Sequence, residues 1–85
     1  MMNRTLNNEI ECIKKELDEA DTKYKKGIED SDRLGVSVRE IRSDEELKRI
    51  ESTAYSAINR LKGIDEEYRL RAVVLYNSIT SILNH

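Results

Sequence analysis

The apolar positions near the start of the chain are spaced alternately four and three residues apart. They are Leu6, Ile10, Ile13, Leu17, Ala20 and Tyr24. This spacing is that of coiled-coil a and d positions, which lie along one side of an α-helix. Outside this stripe, acidic residues precede basic ones by four positions, as in Asp21 and Lys25, which favours a solvated helical face. The pattern predicts a helix over about residues 4–32.

A change of composition follows this first stripe. Gly35 is a candidate helix breaker, and two Ser-x-x-Glu sequences follow it, beginning at Ser37 and Ser43. Such sequences are typical of helix starts, because the Ser side chain and the Glu can each satisfy a free backbone N–H. The second one precedes a long periodic run. We therefore expect a connection over residues 34–43, which a short helical turn at 37–42 could interrupt, and a new helix from about residue 44.

A second apolar stripe begins after this connection. One position is apolar in every seven: Leu47, Ala54, Leu61, Tyr68, Leu75 and Ile82. A companion position runs through Ile50, Ala57 and Ile64 and then moves by one residue to Ala72 and Ile79. Two interpretations stay open: a single helix over about 44–84, or two helices over about 44–62 and 65–84. The shift favours a break at Lys62-Gly63, with Asp65 capping the last helix, whereas Leu61, Ile64 and Tyr68 keep heptad spacing across it.

Two short segments resemble each other. Residues 26–34 read KGIEDSDRL and residues 62–70 read KGIDEEYRL. A duplicated unit would also share its apolar stripe, but Leu17 and Tyr24 correspond to Thr53 and Arg60 at this offset. We therefore predict no repeat fold. We expect the first segment to be the fraying end of the first helix and the second to be a kink or break.

The last segment is apolar around most of its circumference, unlike the segments before it. Its apolar residues are Leu70, Ala72, Val73, Val74, Leu75, Tyr76, Ile79, Ile82 and Leu83. A helix that is apolar on most sides is buried on most sides, and a two-helix hairpin cannot cover it. The predicted fold is all-α, a single domain over residues 1–85 with coiled-coil-like packing, as an antiparallel helical hairpin or a three-helix bundle. Self-association of two chains would cover the remainder.

Six residues are the candidate interaction site. They are Leu70, Val73, Val74, Tyr76, Leu83 and Tyr55. Most belong to the apolar last segment. Tyr55 and Tyr76 lie one position to the side of the stripe, where they could line the edge of an interface, a place in which tyrosine is enriched.

Composition limits the possible functions. Charged residues make up 38% of the chain, but the net charge is only −2 and acids and bases are mixed throughout, so the chain lacks the basic field that nucleic-acid binding needs. The first 12 residues contain no apolar run typical of a signal peptide, and the most apolar window, residues 72–83, is too short to span a bilayer. We expect a cytoplasmic protein that binds neither nucleic acid nor membranes.

Candidate catalytic residues are few and isolated. Cys12 is the single cysteine, with several acids nearby that oppose a thiolate, and His85 is the single histidine. The acidic clusters at residues 29–32 and 65–67 lack the spacing of a calcium loop. These patterns predict a protein that is not an enzyme and has no metal, no cofactor and no small-molecule substrate.

Three functional hypotheses remain. The first is a non-enzymatic interaction module, such as a small regulator, inhibitor, chaperone or assembly factor, which forms a homodimer through its last helix and also binds another protein. The second is a structural subunit of a secretion or phage assembly. The third is a nucleic-acid-binding regulator, with a helix-turn-helix around Gly63.

Overall fold

Residues 2–84 fold into three long helices and one short helix. The computed structural model describes the backbone of residues 2–84 and the side-chain surroundings of residues 7–84, so Leu6 and His85 lie outside the described side chains. The helices are α1 (Met2–Leu34), α2 (Val38–Ile41), α3 (Asp44–Leu61) and α4 (Glu66–Leu83). Residues 2–84 contain no strand. The predicted all-α bundle is confirmed, in its three-helix form with a short additional turn.

Helix α1 continues through the first Lys-Gly-Ile segment and ends with it at Leu34. The segment is therefore the end of the first helix, as expected, but it is helical throughout rather than frayed. Gly27 is a buried residue inside the helix, and it faces Arg42 and Val38. The helix is terminated by Gly35, whose φ of 68° is in the left-handed region that favours glycine. The backbone N–H groups of Gly35 and Val36 both donate to the Ser31 carbonyl, which completes the C-terminal cap.

The predicted connection holds the short helix α2. The Ser37 backbone N–H donates to Glu40 Oε2 at 3.1 Å, so the first Ser-x-x-Glu sequence starts a helical turn as expected. The second starts α3: Ser43 Oγ accepts from the Glu46 backbone N–H at 3.2 Å. Both helix starts therefore follow from local side-chain chemistry.

The long C-terminal pattern is divided into two helices at residues 62–65. Gly63 has a φ of 75°, and the N–H groups of Ile64 and Asp65 both donate to the Leu61 carbonyl. Asp65 then caps α4, because its Oδ1 accepts from the Tyr68 backbone N–H at 3.2 Å. Ile64 is 51% exposed, so its heptad spacing does not place it in the core.

Helix α3 lies between α1 and α4. Glu51 hydrogen-bonds Thr80, and Tyr55, one turn later in α3, stacks on Tyr76, one turn earlier in α4, so these two helices are antiparallel. The core joins all three long helices. It consists of Leu17, Ala20, Leu47, Ile50, Ala54, Ala57, Leu61, Ala72, Leu75 and Ile79.

Helices α1 and α4 are parallel and contact each other mainly at one end. Lys14 pairs with Asp65, and Asp18 hydrogen-bonds Tyr68. Beyond this end, both helices pack on α3 rather than on each other. This arrangement leaves a groove between α1 and α4.

Candidate interaction surface

The outward face of α4 carries two large exposed apolar side chains. Leu70 is 55% exposed and Val74 is 66% exposed, whereas Ala72 between them is fully buried. Successive helical residues are about 100° apart, so positions two before and two after Ala72 point away from the core. The pattern around α4 therefore divides into a packed side and an apolar side that no part of residues 7–84 covers.

The groove between α1 and α4 runs beside these two residues. Its volume is about 600 Å³, and its floor and walls combine apolar and charged side chains. The lining residues are Asp21, Tyr24, Lys25, Glu67, Leu70, Arg71, Val74, Leu75 and Ser78. The groove is an open depression on the surface between α1 and α4.

Each side of the groove carries one acid and one base. On α1, Lys25 Nζ lies 2.9 Å from Asp21 Oδ2. On α4, an Arg71 guanidinium nitrogen lies 3.4 Å from Glu67 Oε1. Both pairs are at i, i+4 positions and both are solvent-exposed, so they contribute little to the stability of the fold. They make the groove neutral as a whole.

The other predicted site residues lie elsewhere on the bundle. Tyr55 is 55% exposed and stacks on the half-buried Tyr76, with ring centroids 5.7 Å apart and ring planes tilted by 42°. Val73 is half-buried, and Leu83 is half-buried against the core. The structure therefore brings Leu70 and Val74 together, and Tyr55 with Tyr76, but it does not join the six into one patch.

Tyr24 is a groove residue that the sequence pattern assigned only to the core. It is half-buried, packs against the core and also lines the groove. In the sequence, the one feature that singled out Tyr24 was its position as the last apolar residue of the first stripe. The pattern could not show that α4 would lie beside it.

A polar cluster joins α1 to the start of α4 near the groove. Lys14 Nζ lies 2.7 Å from Asp65 Oδ2 and 5.0 Å from the centre of the Tyr68 ring, and Arg71 lies 4.9 Å from the same ring. The Tyr68 hydroxyl donates to Asp18 Oδ2 at 3.2 Å. Tyr68 is thus held between two cations, an arrangement that the ring quadrupole favours.

The charges in this cluster shift each other's titration. The hydrogen bond from Lys14 lowers the pKa of Asp65 from its ordinary value, and the N-cap hydrogen bond from Tyr68 adds to the effect. The same hydrogen bond raises the pKa of Lys14. Both groups are half-buried and paired across two helices, which is typical of a structural ion pair as well as of an active site.

The remaining candidate chemistry stays dispersed. Cys12 is an exposed free thiol. Among the described residues, no group of three or more His, Cys, Asp or Glu side chains is arranged to hold a metal ion. His85 lies outside those residues. No described helix combines the length and the apolar character needed to cross a membrane.

Comparison with known proteins gives no match: no protein-family model, no curated protein and no solved structure corresponds to this chain.

Proposed function

We propose that this protein is a non-enzymatic helical interaction module that binds through the outward face of α4, and that it self-associates through this face. The observation that carries the proposal is the exposure of Leu70 and Val74, 55% and 66%, beside an open groove. Roles as a small regulator, inhibitor, chaperone or assembly factor all depend on such a binding surface. Recognition of a second protein's helix or peptide belongs to the same proposal.

The energetic argument rests on the apolar surface. Fully burying one Leu or Val side chain stabilises a complex by about 1.5–3 kcal/mol. A helix lying in the groove would remove Leu70, Val74 and the exposed part of Tyr24 from water. Association costs several kcal/mol in lost rotational and translational freedom, so we expect affinities in the micromolar range.

The arrangement of α3 and α4 favours protein binding over nucleic-acid binding. A helix-turn-helix places its two helices at a steep angle across a short turn. Here α3 and α4 lie side by side, as the Glu51–Thr80 and Tyr55–Tyr76 pairs require. The net charge of −2 and the neutral groove also provide no field that would attract phosphates.

Sedimentation velocity over a wide range of micromolar concentrations tests the proposal. We expect the wild-type chain to sediment faster as its concentration rises. Val74→Glu places a charge on the exposed face without disturbing the core, so this variant should associate about tenfold or more weakly than the wild type. Ser56→Glu, at an exposed position of α3, is the matched control and should associate like the wild type. A wild-type chain that stays monomeric throughout, or a Val74→Glu variant that associates normally, contradicts the proposal.

A further inference from the structure

Two of the residues that line the groove are also the large exposed apolar residues of α4. They are Leu70, which is 55% exposed, and Val74, which is 66% exposed. Such a patch can be self-complementary, because the exposed residues of each copy can enter the groove of the other. Contacts of this kind are isologous: each copy uses the same patch, and a two-fold axis relates the copies.

We infer that the occupant of the groove is α4 of a second copy of this chain, bound antiparallel, in a closed two-fold dimer whose axis passes at the level of Ala72. In this arrangement Leu70 of each copy meets Val74 of the other. The inference rests on the proposed function, and it adds the occupant, its orientation and its stoichiometry. Interlocking of these two side chains is the ridge-and-groove packing found between helices in bundles.

The charges beside the groove fit a second copy better than a strongly charged partner. The Asp21–Lys25 pair and the Glu67–Arg71 pair each run from acid to base in the direction of the chain. A two-fold axis perpendicular to α4 reverses this direction in the second copy. The Asp21–Lys25 pair on α1 of one copy then runs opposite to the Glu67–Arg71 pair on α4 of the other, so each acid can face a base. A highly acidic or highly basic partner would meet like charge on each side of the groove, which opposes binding.

The same geometry limits the assembly to two chains. A filament needs two different patches that fit each other on opposite parts of the surface, so that each copy leaves one patch free. In the two-fold dimer the Leu70 and Val74 side chains of both copies are covered at once. Growth therefore stops at the dimer, which separates this arrangement from a filament-forming structural subunit.

Cross-linking between single cysteines tests the orientation. In a Cys12→Ser background, Glu67→Cys and Asn77→Cys are made as separate variants, since both positions are exposed on α4. The two positions are about 15 Å apart along the helix axis. In the antiparallel dimer, residue 67 of one copy lies level with residue 77 of the other. An equimolar mixture treated with a short bismaleimide should therefore yield the mixed 67–77 dimer several-fold over either self-linked dimer.

The companion measurement is the mass at high concentration, by sedimentation equilibrium. We expect a monomer–dimer equilibrium with no larger species, weakened about tenfold or more by Val74→Glu. Preferred 67–67 and 77–77 links, or growth beyond the dimer, overturn the antiparallel closed dimer. If these cross-links or larger assemblies are lost in Val74→Glu, the proposed surface is still the site of association, but the copies are related by a different symmetry. A chain that stays monomeric, or assembles equally with Val74→Glu, overturns both this inference and the self-association proposed above.

Discussion

Lys14 Nζ lies 2.7 Å from Asp65 Oδ2, and this contact joins the first long helix to the start of the last one. Asp65 also accepts from the Tyr68 backbone N–H through its other oxygen, Oδ1. One carboxylate therefore caps α4 and fixes its position beside α1. Glu67 and Leu70, which line the groove, follow Asp65 within the first two turns of α4.

The double role of Asp65 predicts different effects for two substitutions. Asp65→Asn keeps a good helix-capping side chain but removes the charge that pairs with Lys14. Asp65→Ala removes both the cap and the pair. We expect the midpoint of urea unfolding to fall slightly in the Asn variant and clearly further in the Ala variant. Equal midpoints for the two variants would show that the cap contributes nothing beyond the charge.

The stability of the fold should decrease in acid. Hydrogen bonds from Arg39, Lys14 and Arg69 lower the pKa values of Asp44, Asp65 and Glu66, respectively. The unfolded chain then binds protons at a higher pH than the folded chain, so the stabilising contribution is complete above the ordinary carboxyl pKa values and is lost as the pH falls through the lowered ones. We expect the free energy of unfolding to decrease below about pH 4.

Urea unfolding at a series of pH values measures this dependence. Asp65→Asn should have a shallower decrease in acid than the wild type, because one of the three lowered carboxyl groups is gone. Lys14, whose pKa is raised by Asp65, should show the opposite behaviour: its contribution persists up to its ordinary range and is lost in more strongly alkaline solution. A wild-type stability that is constant from neutral pH to pH 3 would contradict the expectation.

Alanine substitutions at the two Lys-Gly-Ile glycines should have opposite signs. Gly27 is helical, and a Cβ there would meet Arg42 Cγ at 3.4 Å, an ordinary contact with a flexible side chain. Gly27→Ala should therefore stabilise the fold by about 0.5–1 kcal/mol, the usual difference between these residues in a helix. Gly63 has a φ of 75°, so Gly63→Ala should destabilise the fold by about 1–2 kcal/mol.

The free energies of unfolding of the two variants, from urea titrations, check this prediction. Gly27→Leu is a useful control, since its larger side chain would displace Arg42 and cancel the gain in helix propensity. If both alanine substitutions changed the free energy of unfolding in the same direction, the backbone at Gly27 and Gly63 would have the same type of conformation, which contradicts the prediction.

Neighbouring residues of α4 should differ sharply in their contribution to stability. Leu75 is 2% exposed and belongs to the core, whereas Val74 is 66% exposed. Leu75→Ala should cost about 2–5 kcal/mol through lost burial and the cavity left behind. Val74→Ala should cost about 0.5 kcal/mol or less, as is usual at surface positions.

Thermal or urea unfolding of both variants tests this difference. The experiments should be done at a concentration low enough to keep the chain monomeric, so that association does not add to the measured stability. Similar losses for the two variants would place Val74 inside the fold and remove the basis of the interaction surface.

The sequence pattern by itself determined the helices and most of the core. The spacing of Leu17 and Ala20, and of Leu47, Ile50 and Ala54, placed these residues on the buried sides of their helices, because a helix brings positions three and four apart onto one face. The sequences beginning at Ser37 and Ser43 located two helix starts for an equally local reason. These features depend only on residues close together in the chain.

The two Lys-Gly-Ile segments show where local information was insufficient. Both have the composition of a helix end, yet Gly27 is inside a helix and Gly63 is in a turn. One local difference is that Asp65, a good N-cap, corresponds to Glu29 in the first segment. The other difference is tertiary, since Gly27 is buried against Arg42 and Val38 from a later part of the chain.

The candidate site was decided by the tertiary structure. From the sequence, α4 was apolar nearly all round. Its stripe marked Ala72, Leu75 and Ile79, but the candidate interaction residues of α4 included Val73, Tyr76 and Leu83, which are half-buried. The antiparallel pairing with α3 buried Ala72, Leu75 and Ile79 and left Leu70 and Val74 outside. The sequence thus determined that α4 has more apolar surface than one partner helix can cover. The packing of α1 and α4 on α3 decided which of the candidate residues remain exposed, and it alone placed a groove beside them.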